Sequence, residues 1–258
     1  MSSACATCGA CCRSYVVPVC GHDVWLLSTR QRLAPEQFLV AYGQAPGSTA
    51  REAFRLEAGG PLLGLALDKR GRFKPSSPCV FLYDLAGGQS RCGVYAERPV
   101  VCETYPMAMW DGLVSQREAS LCPPDAWSDA AVQHPTWRAG LQRLRFHFDV
   151  YHEVVARWNA RVAAAGPARS FALAEFYAYL LNVYDALAAL DVQCGPERLA
   201  EVQATWPGRP HPPSLSIVRG EEPDWFIYFM CARQVIDGLF PDVPPQPHLL
   251  LSVAEGEP

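Results

Sequence analysis

The residues in this chain with the clearest chemical potential are cysteines. Cys5-x-x-Cys8-Gly9-Ala10-Cys11-Cys12 packs four thiols into eight positions. Two residues between cysteines allow both sulfurs to turn toward one ion, and backbone amides at the turn can then donate to the thiolates. Gly9 relieves the tight turn inside the motif. Neighbouring side chains ordinarily diverge, so the adjacent pair predicts one of two arrangements. Either Cys11 and Cys12 serve two centres, or one is a ligand and the other has a different role. Four further cysteines sit in settings that read as ligand loops: Ser77-Pro78-Cys79, Arg91-Cys92-Gly93, Val101-Cys102 and Leu121-Cys122-Pro123. The expected ligand set is therefore Cys5, Cys8, Cys11, Cys12, Cys79, Cys92, Cys102 and Cys122. Eight thiols suit two tetrahedral all-sulfur sites, or one cluster with spare ligands. A bacterial-ferredoxin run would need a cysteine where Tyr15 stands, and so would a radical-SAM run starting from Cys8 and Cys12.

The other cysteines and the histidines carry less weight. Cys20, beside Gly21-His22, is read as structural rather than as a ninth ligand. Cys194 and Cys231 lie far from the motif among ordinary helix signals and are also read as structural. His147 and His152 are five apart, do not share a helical face and make no metal pair. Tyr95 and Tyr105 adjoin proposed ligands and are expected to pack over the centre. The chain has no Gly-rich phosphate loop, no Gly-x-Ser-x-Gly elbow and no His-Glu-x-x-His.

Composition sets the context for the thiols. The chain has 258 residues, half of them apolar and 19% charged, which is the profile of a folded protein. A formal charge of −4 leaves no electrostatic footprint for nucleic acid, and no basic run points to a membrane surface. The N-terminus, Met1-Ser2-Ser3-Ala4-Cys5, has neither a basic nor an apolar signal region. The eleven cysteines are accordingly expected in a cytoplasmic protein, where they read as metal ligands rather than disulfides.

The elements that must position these thiols are short in the first half and long in the second. Nine cysteines fall between Cys5 and Cys122, and we place a soft boundary near 123–135. This gives a cysteine-cluster domain over 1–128 and a helical domain over 129–258. In the first domain, Tyr15 to Val19 reads as an edge or irregular strand because of Pro18. Short helices are expected over 23–31 and 35–42, and a hairpin over 62–74. Strands are expected at 79–83 and 92–95, around Gly87-Gly88. Such pieces bury little area, and a metal would offset that deficit by contributing to folding. In the second domain, Trp137, Leu141, Leu144, Phe148, Tyr151, Val155, Trp158 and Val162 form one apolar helical stripe. Ser170 to Leu190 reads as a helix that is apolar nearly all round, and as the central helix or a face for a protein partner. Further helices are expected near 196–204 and 223–238. The predicted fold is mainly α, with an irregular, metal-stapled N-terminal module of few short strands (α+β).

The ordered succession of motifs resembles the YkgJ-type cysteine-cluster proteins, which carry a zinc- or iron-chelating domain. The resemblance rests on Cys5-Ala6-Thr7-Cys8-Gly9-Ala10-Cys11-Cys12, Cys79-Val80-Phe81-Leu82, Cys92 through Cys102 with its Arg98-Pro99, Tyr105-Pro106 and Cys122-Pro123. It covers roughly residues 5 to 123. It implies metal binding but no particular reaction. A similar cysteine domain occurs in some flagellin lysine methylases, which puts a modifying reaction among the functions it allows. The family usually has Arg just after the cysteine of the Arg-Pro-x-x-Cys segment. Here that residue is Glu103, so any offset of thiolate charge must come from Arg91, Arg98 or Arg117. We favour an iron–sulfur centre with a redox or modification-related role, because eight thiols with an adjacent pair exceed what one structural zinc uses. Two zinc ions in a structural or interaction module would account for the count equally well.

Overall fold

The computed structural model describes residues 8–45, 50–71, 77–87, 89–110, 112–122, 127, 132, 134–188, 232–233 and 235–240. Helix α1 is the single turn Ala10–Ser14, and α2 runs Gly21–Gln31. Asp23 starts α2 by accepting from the Cys20 backbone N–H at 3.0 Å, which satisfies a donor that has no partner within the helix. Arg32, in the left-handed region at φ 54°, ends it.

A 3₁₀ turn at Pro35–Gln37 leads into strand β1, Leu39–Gly43, which pairs antiparallel with β2, Leu63–Leu67. The helix expected over 35–42 thus stops after one turn. Phe38 and Leu39 are buried, and backbone pairing with β2 satisfies the segment as strand; a short apolar run is locally ambiguous and the tertiary partner decides it. The Leu62–Leu67 strand exists, but its partner is β1, while 72–76 lie outside the described residues. Pro18 bridges to Ala66 on the other side of β2, and Leu67 N–H donates to the Val17 carbonyl at 3.0 Å, so the Tyr15 to Val19 segment runs as the expected irregular edge.

Strands β3, Leu82–Asp84, and β4, Ser90–Cys92, pair antiparallel; both are shorter than the strands expected at 79–83 and 92–95 and lie nearer to each other in the sequence. A 3₁₀ turn at Tyr95–Glu97 leads to α3, Val100–Thr104. A third hairpin joins β5, Met107–Trp110, to β6, Leu113–Gln116. Both α3 and this hairpin escape the sequence reading, although Asp111-Gly112 between two apolar runs is a hairpin signal.

The long helices match their patterns. Helix α4 spans Pro135–Ala165, with His134 as N-cap, Pro135 in the first turn and Gly166 at its end. Helix α5 spans Leu173–Ala188. Its start is held by Glu175, which accepts from Ala172 N–H at 2.8 Å, whereas the expected cap Ser170 bridges to Glu57. The segments expected to be helical near 196–204 and in most of 223–238 lie outside the described residues; 232–233 and 235–239 are helical. Among the described residues, no helix is long and apolar enough to cross a membrane.

One hydrophobic core joins these elements, with Val24 and Leu27 of α2, Phe38, Phe54, Trp158 of α4 and Phe176 and Leu180 of α5 all fully covered. Trp158 also donates through Nε1 to the Arg55 carbonyl at 2.7 Å, which ties α4 to the segment that bears Phe54. Where α2 meets α5, a Cβ on Gly21 would fall 2.2 Å from the Tyr184 ring, so only glycine permits this approach. Where α2 meets α4, the rings of His22 and His147 stack at 3.8 Å.

Those two imidazoles give the fold a defined acid response. Burial, with Arg143 nearby, lowers His22 to about 4 and holds His147 well below the ordinary value of 6.5. Both folded values lie below the unfolded one, so below pH 6.5 the unfolded chain binds more protons. Their stabilising effect is present above pH 6.5 and is lost as pH falls toward the folded values. His147→Phe keeps an aromatic stack that cannot charge. Its stability relative to the wild type, measured by urea unfolding, is expected to rise by about 1–3 kcal/mol between pH 7 and pH 4.5. A difference that stays constant with pH would remove the pair from the acid response.

Candidate metal centre

Five of the eight expected ligands converge. Cys11 and Cys12 on α1, Cys79 before β3, Cys92 at the end of β4 and Cys102 on α3 all line one cavity of about 790 Å³. Cys8 is exposed and Cys122 half-buried, and neither is among the residues lining it. Cys5, Cys194 and Cys231 lie outside the described residues. Cys20 is fully buried in the core, where its thiol donates to Asp23 at 3.3 Å, in keeping with the structural role expected of it.

The scaffold holds the five thiols from separate directions. Gly9, with φ +69°, turns the chain into α1; a Cβ there would meet the Arg13 guanidinium at 2.3 Å. Arg13 pairs with Asp84 and donates to Ser90 Oγ, which clamps α1 to the β3–β4 hairpin. Cys79 N–H donates to the Cys12 carbonyl at 2.8 Å, so the first cysteine motif and the second share a backbone hydrogen bond. Helix α3 is held at both ends of its single turn. Val100 N–H donates to Asp23 Oδ1 at 3.0 Å, and Glu103 pairs with Arg143 of α4. Glu103, the residue that departs from the family pattern, therefore fastens α3 to the long helix. Tyr15 Oη donates to the Ala119 carbonyl at 2.7 Å, and Tyr105 Oη accepts from Leu121 N–H at 2.6 Å, which straps the segment before Cys122 alongside. Tyr95 and Tyr105 line the cavity.

Electrostatically the thiols form a crowded group. The hydrogen bond that its thiol makes to Cys12, followed by burial, pushes Cys11 far up. Burial raises Cys79 to about 11, with Cys92 adding to the rise while Lys69 and Arg70 oppose it. Burial raises Cys102 as well, and Cys79, Asp23, Cys11 and Cys92 all push in the same direction. Without a cation Cys11, Cys79 and Cys102 therefore favour the thiol form, and a bound metal would reverse that preference by taking the thiolate form. Lys69 is the positive charge the sequence reading passes over. It is buried, its Nζ donates to the Arg13 carbonyl at the end of α1 at 2.6 Å, and it acts on Cys79 and Cys12. In the sequence it reads as one residue of an Asp68-Lys69-Arg70-Gly71 turn, and nothing local signals its burial. Of the arginines expected to offset thiolate charge, Arg98 and Arg117 line the cavity and Arg91 does not.

The donor set fits a thiophilic metal in chemistry and partly in geometry. Cys11 and Cys12 do not diverge: their sulfurs lie 4.0 Å apart. The edge of a tetrahedral zinc–thiolate site with bonds of about 2.3 Å is roughly 3.8 Å long. Adjacent cysteines can thus supply two thiolates to one ion. Among the described residues, no three His, Cys, Asp or Glu side chains are already closed on a single ion-sized position. The five thiols are arranged around a space, and coordination would draw them inward.

Comparison with known proteins addresses the same segment. Residues 4–125 match the CxxCxxCC family, described as "Putative zinc- or iron-chelating domain". The match covers every expected ligand and ends before α4. No curated protein and no solved structure matches the chain.

The convergence separates the cysteines by role. Cys102→Ser and Cys79→Ser are each expected to lose most of the bound metal, measured as metal per protein on anaerobically purified material. Cys20→Ser is expected to retain it in full. A Cys102→Ser protein with undiminished metal would drop that residue from the ligand set.

Proposed function

Starting from the match of residues 4–125 to the zinc- or iron-chelating cysteine-cluster family, we propose that this protein carries an iron–sulfur centre in a redox or modification-related role. Cys11, Cys12, Cys79, Cys92 and Cys102 form the ligand wall, and Cys5, Cys8 and Cys122 supply the remaining thiols of the set. The observation that carries this reading is the position of the five thiols on the wall of an open cavity rather than inside a sealed knot. A structural metal is enclosed by its ligands, whereas a centre that does chemistry keeps one side reachable. The cavity's volume falls within the range of roughly 300–1,000 Å³ typical of small-molecule sites. When bound, an iron–sulfur centre supplies one-electron redox chemistry.

The number and spacing of the thiols support more than one metal ion. Five sulfurs around one space exceed the four that one tetrahedral ion takes. The 4.0 Å edge between Cys11 and Cys12 suits two thiolates on a single metal. That pairing also occurs at each iron of a two-iron cluster with four cysteine ligands. The chain's own residues set the electrostatics: Lys69 and Arg70 bring positive charge against Cys79, and Asp23 and Glu103 fix the helix that bears Cys102. The alternative is a zinc-stapled structural or interaction module. It draws on the same edge, whose length is close to that of a single zinc–thiolate tetrahedron.

Metal and acid-labile sulfide analysis with an absorption spectrum decides between the two, on protein purified without oxygen and without an affinity metal. The expected result is iron with stoichiometric sulfide and a broad band near ~400 nm from thiolate-ligated clusters. Colourless protein with stoichiometric zinc and no sulfide would replace the redox reading with the structural one.

A further inference from the structure

The cavity that the thiols line is much larger than a metal centre needs, and its remaining wall has a distinct character. Apart from the cysteines, the ionisable side chains among the described residues that line it are tyrosines and three arginines, Arg98, Arg117 and Arg145, with no carboxylate among them. The thiol end has its own cations in Lys69 and Arg70, which act on Cys79.

The arginines are incompletely engaged. Arg98 stacks over the Tyr95 ring with its guanidinium carbon 4.0 Å from the centroid, and its Nε is buried with no hydrogen-bond partner among the described residues. Neither Arg98 nor Arg117 makes an ion pair with any described acid, and Arg145 meets Asp149 only at 3.8 Å. Arg98 Nη1 donates to the Tyr95 carbonyl at 3.4 Å, which leaves its remaining Nη donors to meet a carboxylate or phosphate.

The rest of the lining is apolar and unusually open to water. Trp110 is 73% exposed, Val16 45% and Tyr95 43%, and all three lie on this cavity. Leu144 and Phe148 of α4 extend the apolar surface inward: they belong to the helix's hydrophobic stripe, and each packs against the core while also lining the cavity. Large apolar side chains gathered at the mouth of one concave site, with a few convergent polar groups, mark a ligand site rather than a random surface.

We propose that this chamber binds an organic anion with a flat or aliphatic apolar body, its carboxylate or phosphate on Arg98 and Arg117 and its body against Trp110, Leu144 and Phe148, facing the thiol wall. The proposal names the substrate class for the site described above and rests on that reading for its catalytic meaning. The binding itself is tested separately from the metal.

The probes are 2-naphthoate and its uncharged counterpart 2-naphthamide, titrated calorimetrically into the full-length protein at fixed ionic strength, with metal content recorded on the same samples. Naphthoate is expected to bind at least about tenfold more tightly than the amide, the ratio a charge-assisted hydrogen bond to a desolvated carboxylate provides. In Arg98→Gln/Arg117→Gln the preference is expected to vanish, compared at equal metal content. If the double variant fails to fold, Arg117→Gln alone, on an exposed side chain, is expected to weaken naphthoate at least about threefold and leave the amide unaffected. Equal affinities for the two probes, no binding of either, or a preference that survives both variants would overturn the proposal. A wild type that holds no metal yet discriminates the probes would leave the anion site standing and remove the metal reading instead.

Discussion

The buried carboxylate of Asp23 is the interaction on which the arrangement of this molecule depends. It takes the backbone N–H of Cys20 at the start of α2 and, from its other oxygen, the backbone N–H of Val100 at the start of α3. One side chain thereby fixes the first turn of a core helix and the first turn of the helix that carries Cys102. Burial raises its pKa to about 6 even though those hydrogen bonds favour the charged form, which measures how strongly the site is cut off from water. Such a group is costly to bury and more costly to leave unmatched, so its partners are constrained to their positions.

A second constraint follows from charge. The cysteine wall gathers thiols whose ionisation each makes the next less favourable, and the scaffold answers with a buried lysine rather than a surface arginine. Lys69 reaches back to the carbonyl end of α1, where a cation also meets the negative end of that turn's peptide dipoles. The positive charge beside Cys79 and Cys12 thus comes from a different part of the chain than either cysteine motif. Glu103 is a tether between α3 and α4.

Parts of this were readable from the residues alone and parts were not. The spacing of Cys5 to Cys12 and the loop settings of Cys79, Cys92 and Cys102 announce sulfur chemistry because ligand geometry is local. Helices α4 and α5 are legible because each buries a long periodic stripe. The β1 strand is not, since Phe38, Leu39 and Tyr42 satisfy a helical period equally well and only β2 decides the matter. The approach of the Cys11 and Cys12 sulfurs, the burial of Lys69 and the two-helix reach of Asp23 all depend on parts of the chain distant in sequence. Leu144 and Phe148 illustrate the limit most clearly. Their periodicity correctly places them on the apolar face of α4 against the core, but periodicity does not show that they also line a cavity.

The close seat of Gly21 against Tyr184 has a bearing on how the protein comes into being. A ribosome delivers every cysteine of the first motif long before it delivers α5, the helix on which α2 rests and through which the Asp23 linkage is held in place. During synthesis the thiols therefore leave the exit tunnel without their scaffold. Glu103 of α3 pairs with Arg143 of α4, and α2 packs on α5, so the complete scaffold of the cysteine wall includes the second half of the chain. A premature stop after the cysteine-cluster segment would keep all the ligands of the set and lack the surface that gathers them.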